Sequence, residues 1–189
     1  AMQLKQSKFI TIRGLVITGA GGPALSLMGG NNQNEAIHIE RNRLVGNGSG
    51  SCNGGITLFQ GNPDTLIVNN LIYGNGRNGI LLLDATCGPH AIIVNTSHGN
   101  GGNAVSVGRE HEVLLVNNAI TGNGTAAGST GGRVGVSREA TVPANPAGIQ
   151  MLGNMLCGNR LGEIDGPALD STDSGNLTPG GAEGPGVGA

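Results

Sequence analysis

The chain has 189 residues, of which 37 are Gly and 21 are Asn, so nearly a third of it consists of two residues that favour turns and left-handed backbone. Against 10 Lys and Arg stand 12 Asp and Glu, for a net charge of −2, and the aromatic side chains are two Phe, one Tyr and no Trp. Glycine at this frequency excludes a helix-rich fold, since each helical Gly costs about 1 kcal/mol relative to Ala. The lack of a three-residue glycine period excludes collagen, and the balanced charge supplies no attraction to nucleic acid or an anionic membrane.

The length fits one domain. No apolar run is long enough to span a bilayer, and no basic stretch followed by an apolar core opens the chain. A strand begins instead near Phe9, and residues 12–19 form the first of several related units. Glycine-asparagine pairs then recur at Gly46-Asn47, Gly74-Asn75, Gly99-Asn100, Gly122-Asn123 and Gly158-Asn159, at intervals of 28, 25, 23 and 36 residues. Shortly before each stands another Asn: Asn42, Asn70, Asn95 (beside Thr96), Asn118 and Asn154. Between the two lies an apolar residue, Leu44, Ile72, Ile120 or Leu156, with Ser97 as the exception. A drifting period in the twenties marks a solenoid.

Each unit reads as three short strands. The first falls at 36–40, 65–68, 91–94, 113–116 and 149–152, the second is typified by 70–73, and the third falls at 25–28, 56–59, 80–83, 105–107 and 134–137. Strands this short, separated by turns and with no helical stretch between them, predict an all-β coil. Coils stacked at the parallel-strand spacing give about six turns in a rod roughly 29 Å long. The Asn positions fit this picture, because Asn tolerates the left-handed bend of a sharp turn and its amide can bond the amide one coil away. Residues 1–160 are assigned to the coils, and 161–189 to a non-repeat tail that ends Gly- and Pro-rich.

The run Ile67-Val68-Asn69-Asn70-Leu71-Ile72-Tyr73-Gly74-Asn75 resembles the repeat of the right-handed parallel β-helix in the pectate-lyase-like superfamily. The resemblance covers roughly residues 9–160 and implies a right-handed parallel β-helix. It says little about activity, because that superfamily holds lyases, hydrolases, epimerases, tail spikes and adhesins. It also implies that any catalytic groove lies on the outer face of the third-strand sheet and its flanking loops. Alternation there puts Ile56 and Leu58 inward and Thr57 and Phe59 outward. The outward rows become Ser26, Thr57, Leu81, Ser106 and Gly135, then Met28, Phe59, Leu83, Gly108 and Ser137.

Neither row holds a carboxylate, and no Asp-Asp pair exists in the chain, whereas glycoside hydrolysis needs two facing carboxyl groups. The strongest constellation lies just past the strand ends. Asp84, Arg109 and Arg138 are the candidate catalytic residues there, with Arg as base or clamp in a β-elimination, and Phe59, Gln60, Glu110 and His111 are the candidate substrate contacts. A solvated run of alternating charge is the structural alternative. His38, His90, His98 and His111 share no spacing and fall outward on a strand or in and beside loops. His90 and Cys87 lack a second pair to complete a metal site, so no metal and no cofactor are expected. Cys52, Cys87 and Cys157 are odd in number and do not decide the compartment.

Along the first strand, placing Ile39, Ile67, Ile93, Leu115 and Met151 inward turns Leu66, Val68, Ile92, Val94, Leu114, Val116 and Leu152 outward. Such a contiguous apolar patch is larger than monomers leave bare, and a second copy of the chain, the tail or a segment outside this sequence would cover it. The expectation is a surface or secreted β-helix acting as a non-catalytic scaffold or binding rod, outside the cell or on its surface. The alternative is a polysaccharide-binding or uronic-acid lyase-like domain working on the third-strand face. Neither reading expects a nucleic-acid partner or a membrane span.

Overall fold

The structure, a computed structural model, describes residues 1–30, 34–49, 54–83, 89–108, 112–125, 133–138, 149–165 and 174–178. Its described elements are all strands. In chain order they open with β1 (Met2–Leu4), β2 (Thr11–Arg13), β3 (Val16–Thr18), β4 (Leu25–Met28), β5 (His38–Glu40), β6 (Arg43–Val45) and β7 (Ile56–Phe59). Next come β8 (Thr65–Val68), β9 (Leu71–Tyr73), β10 (Ile80–Leu83), β11 (Pro89–Ile93), β12 (Thr96–His98) and β13 (Val105–Val107). The last are β14 (Glu112–Val116), β15 (Ala119–Thr121), β16 (Val136–Arg138), β17 (Ile149–Leu152), β18 (Met155–Cys157) and β19 (Ile164–Asp165).

Every third strand joins the same sheet. The first sheet runs β2-β5-β8-β11-β14-β17, the second β3-β6-β9-β12-β15-β18, and the third β1-β4-β7-β10-β13-β16-β19. All pairings are parallel, as in β5 with β8 and β12 with β15. The molecule is therefore the all-β parallel solenoid that the repeats predict, with close to the expected number of coils.

The core is a set of columns running down the rod. Ile12, Ile39, Ile67, Ile92, Leu115 and Met151 stack inward from the first sheet, each no more than 3% exposed. From the second come Leu44, Ile72, Ile120 and Leu156, and from the third Leu27, Leu58 and Leu82, all fully buried. Ser97 interrupts the second column without leaving a polar orphan, because its hydroxyl accepts from Asn100 Nδ2 at 3.1 Å. Close approach between coils explains some glycines: a Cβ on Gly55 would stand 2.1 Å from the Gly79 carbonyl oxygen, and one on Gly76 would stand 2.2 Å from that of Gly48.

The two sharp corners are held by asparagine ladders. At the first corner each Nδ2 donates to the Oδ1 one coil on: Asn42 to Asn70 at 3.0 Å, Asn70 to Asn95 at 3.0 Å, Asn95 to Asn118 at 3.2 Å and Asn118 to Asn154 at 2.9 Å. The second corner repeats the arrangement through Asn47, Asn75, Asn100, Asn123 and Asn159, at 2.8–3.1 Å. Each Oδ1 also accepts the backbone N–H of the preceding rung, as from Asn95 to Asn118 at 2.9 Å. Each Nδ2 has a second bond to a carbonyl of the preceding coil, as from Asn118 to Ile92 at 2.8 Å. A rung thus uses both amide hydrogens and both oxygen lone pairs.

The left-handed residue is the one before the rung, not the rung itself. At the first corner these are Gly14, Arg41, Asn69, Val94, Asn117, Gly153 and Gly175, and at the second Gly19, Gly46, Gly74, Gly99, Gly122 and Gly158, all at positive φ. Bend and amide bonding are therefore divided between neighbouring positions. The ladder also runs past residue 160: Asn154 Nδ2 donates to Asn176 Oδ1 at 3.0 Å, Ile164–Asp165 pairs with β16, and Leu152 and Met155 bridge to Ser174 and Leu177.

The register corrects the expected outward row of the first sheet. Ile92 pairs with Ile67 and Leu115 and points inward at 1% exposure, so Ala91 and Ile93 take the outward positions. Val94 lies beyond the strand, in the corner column, at φ 55 and 49% exposed. Asn69 and Asn117 occupy that column in the adjoining coils, and a Val there conceals the corner in the sequence. Leu66, Val68, Leu114, Val116 and Leu152 do face outward, and all are half-buried.

Two outcomes test this geometry. A β-branched residue at positive φ is strained, and Val94→Asn should stabilise the protein by about 1 kcal/mol, read as a higher urea midpoint at unchanged slope. Asn118→Leu removes the acceptor of the Asn95 N–H and Nδ2 and the donor to the Ile92 carbonyl, while Asn154 Oδ1 keeps the backbone N–H of residue 118, and should cost about 3 kcal/mol in the same measurement.

Candidate functional site

At the ends of the third-sheet strands, where the sequence places its candidate groove, Phe59 closes β7 and pairs with Met28 and Leu83. It is half-buried. Gln60 follows at φ 47, its N–H donating to the Leu83 carbonyl at 3.3 Å and its own carbonyl accepting from Asn62 Nδ2 at 2.7 Å. Arg138 is the last residue of β16, in register with Val107. Asp84, Arg109, Glu110 and His111 lie outside the described residues, as do Cys52 and Cys87. Of the proposed constellation, only Phe59 and Gln60 are therefore placed side by side.

Outward register on this sheet does not mean exposure. Thr57 pairs with Ser26 and Leu81 in the outward row, yet Thr57 is 5% and Leu81 6% exposed. Covered at these central outward positions, β7 and β10 carry a near-continuous hydrophobic pattern there. The row ends differently from its sequence-based version: Ser137 pairs with Ser106 and so takes the place assigned to Gly135. Among the described residues Thr57 Oγ1 is buried with no hydrogen-bond partner.

Beside Gln60 is a third amide ladder that the repeat frame misses. Asn34 Oδ1 accepts the Ser7 N–H at 2.9 Å, and Asn34 Nδ2 donates to Asn62 Oδ1 at 2.8 Å. At the opposite, N-terminal ends of the third-sheet strands Asn78 and Asn103 form a separate row, with the Asn103 N–H donating to Asn78 Oδ1 at 2.9 Å and the Val134 N–H to Asn103 Oδ1 at 3.0 Å. The signal was present: Asn34 and Asn62 are 28 apart and Asn78 and Asn103 are 25 apart, the same separations as Asn47 to Asn75 and Asn75 to Asn100. At the far end of the second-corner ladder, Asn159 Nδ2 donates to the Glu163 carboxylate, which takes the place of a further rung.

A more exposed surface lies elsewhere, on the second sheet, and it is mixed, with Val16, Leu71 and Met155 exposed beside Arg43, Thr96 and His98. One outward row runs Val16, Arg43, Leu71, Thr96, Ala119 and Met155, and the other Thr18, Val45, Tyr73, His98, Thr121 and Cys157. Arg43 Nε donates to Tyr73 Oη at 2.8 Å, Nη2 contacts the same oxygen, and the guanidinium carbon lies 5.4 Å from the ring centroid. His98 Nδ1 and Thr121 Oγ1 share a 2.9 Å hydrogen bond. His98 closes β12 beside the Gly99-Asn100 turn, and His90 is the second residue of β11, 2% exposed. Cys157 is an exposed free thiol. Among the described residues no three His, Cys, Asp or Glu gather to hold a metal ion.

The sequence matches the family described as a right handed beta helix region over residues 1–154. The chain belongs to that right-handed β-helix family. No curated protein and no solved structure matches it significantly. Membership accounts for the coils and leaves the chemistry to individual side chains, since one fold hosts many activities.

The third-sheet face carries its own test. Replacing Thr57 by the near-isosteric Val removes a buried hydroxyl that makes no bond, and should raise stability by about 1 kcal/mol in urea unfolding.

Proposed function

We propose that this β-helix is a rigid, non-catalytic rod acting outside the cell or on its surface, as a scaffold or as a module that binds polysaccharide. The observation that carries this reading is the use of the polar inventory. The buried Asn side chains of the two corner ladders bond along the rod, and the described ion pairs, Lys8 with Glu35 and Arg13 with Glu40, bind neighbouring coils to each other. Strands of two to five residues held at two corners of each coil give a stiff surface of regular pitch, which suits display or binding along a polymer. The extracellular setting rests on the resemblance to secreted β-helix proteins.

The competing reading, a uronic-acid lyase with Asp84, Arg109 and Arg138 at the third-strand ends, is weakened by the burial of Thr57 and Leu81 in the middle of that face. An open groove would leave those outward positions accessible. The discriminating experiment incubates the protein with pectate and with alginate, with and without calcium, and follows the ultraviolet absorbance of the unsaturated product. No product is expected from either polymer. Product that disappears in Arg109→Ala would establish the lyase in place of the rod.

A further inference from the structure

We infer that four rungs of the second-corner ladder, Asn47, Asn75, Asn100 and Asn123, are spontaneous deamidation sites that the fold holds inert, so that a chain left unfolded loses the ability to refold. Each of the four is followed by glycine: Gly48, Gly76, Gly101 and Gly124. Glycine is conformationally free and has no side chain to shield its nitrogen, so an Asn-Gly pair cyclises more readily than other pairs. The first-corner rungs are followed instead by Arg43, Leu71, Thr96, Ala119 and Met155. The stack itself imposes the difference. A Cβ on Gly76 would stand 2.2 Å from the Gly48 carbonyl oxygen, and one on Gly124, at φ 85, would stand 2.6 Å from the Arg133 carbonyl oxygen.

The reaction needs only water and solvent base. The glycine nitrogen gives up its proton and attacks Cγ of the preceding Asn. A C–N bond forms, the Cγ–Nδ2 bond breaks, and Nδ2 leaves as ammonia. Water then opens the cyclic imide at one carbonyl or the other, leaving aspartate or isoaspartate. The native ladder restrains both partners. Each attacking N–H is already bonded: Gly48 to the Ala20 carbonyl at 2.7 Å, Gly76 to that of Asn47 at 2.7 Å, Gly101 to that of Asn75 at 2.7 Å and Gly124 to that of Asn100 at 2.8 Å. The four Asn are no more than 1% exposed, and each Nδ2 donates to the Oδ1 of the next rung. Turning a rung toward its own glycine breaks these bonds, so the reaction proceeds through the opened chain.

Either product defeats the corner it occupies. Asn100 Nδ2 donates to the Ile72 carbonyl at 3.2 Å and to Asn123 Oδ1 at 2.9 Å. Aspartate there has no hydrogen to give and sets a buried negative charge against two oxygens. Isoaspartate carries the chain through the side-chain methylene and so lengthens the backbone inside a tight bend. A converted rung also withdraws support from the coils on both sides of it, so one event is enough to spoil the stack. The residues that the coil geometry demands are therefore chemically durable in the folded rod and short-lived outside it.

Peptide mapping by mass spectrometry tests this on the full chain, kept with reductant in mildly alkaline buffer, either native or unfolded in guanidinium chloride. In the unfolded sample, peptides holding Asn47, Asn75, Asn100 and Asn123 should gain the mass difference between amide and acid, with isoaspartate among the products. Asn42, Asn70, Asn95, Asn118 and Asn154 should keep their amides in the same sample. In the native sample the four sites should react at least about a hundredfold more slowly, because only the opened fraction is reactive. Recovery of the circular-dichroism signal on dilution should fall with the same time course as conversion. Mildly acidic guanidinium, which suppresses loss of the glycine proton, should preserve both the amides and the recovery. Asn100→Asp, which carries one product from the start, should unfold at a lower denaturant midpoint or fail to fold. Similar rates in native and unfolded samples, or equal conversion at the first-corner rungs, overturns the protection. Full recovery after conversion, recovery lost in acid with the amides intact, or a wild-type midpoint for Asn100→Asp overturns the loss of refolding.

Discussion

A coil of three short strands must bend sharply twice within a few residues, and each bend takes backbone N–H and C=O groups away from water. An unpaired buried group costs about 1–3 kcal/mol, so a rod of several coils could not form with its corners unsatisfied. Asparagine meets the requirement because its amide carries two donors and an acceptor able to take two bonds. In the middle of a ladder every one of these is used: Asn118 receives the Asn95 N–H and Nδ2, and donates to Asn154 and to the Ile92 carbonyl. Each rung closes the preceding coil and waits on the next, which makes the corners as dependent on neighbours as the sheets are.

The division between bend and bond sets the rest of the architecture. Putting the left-handed residue immediately before the rung frees the rung to point inward, while the bending position remains at the surface. That outer position tolerates Gly, Asn, Arg and, with strain, Val. Inside the corners, uniform stacking aligns the core into columns of like side chains, so Ile sits over Ile and Leu over Leu. Outside, it gives three faces of different character, one half-buried and apolar, one covered over its central outward positions, and one open with polar and apolar side chains side by side.

The period, the strand order and both main ladders are legible in the sequence, because a rung needs Asn and little else will do. Legibility fails where a residue's role is generic. Val94 occupies a corner position that Asn, Gly or Arg marks elsewhere, so the strand before it reads one residue too late and Ile92 exchanges faces with Ile93. The Asn34–Asn62 ladder was readable from its interval but lies outside the Gly-Asn frame. The contacts on the second sheet depend on which side chains meet across coils of unequal length. Arg43 reaches Tyr73 over 30 residues and His98 reaches Thr121 over 23, and no single period predicts both. The burial of Thr57 and Leu81 was hidden for a similar reason, since alternation reports direction and not what stands over a face.

The two rungs within a coil are always five residues apart: Asn42 and Asn47, Asn70 and Asn75, Asn95 and Asn100, Asn118 and Asn123, Asn154 and Asn159. All of the variation in coil length therefore falls in the remaining arc, between one coil's second rung and the next coil's first. A single inserted residue between paired rungs would throw one ladder out of step, whereas many can be added on the opposite flank at only the small entropic cost of a longer loop. The rod thus has a fixed spine and a free margin. New loops, and any new specificity they bring, can be grafted or acquired along one side without disturbing the stack that supports them.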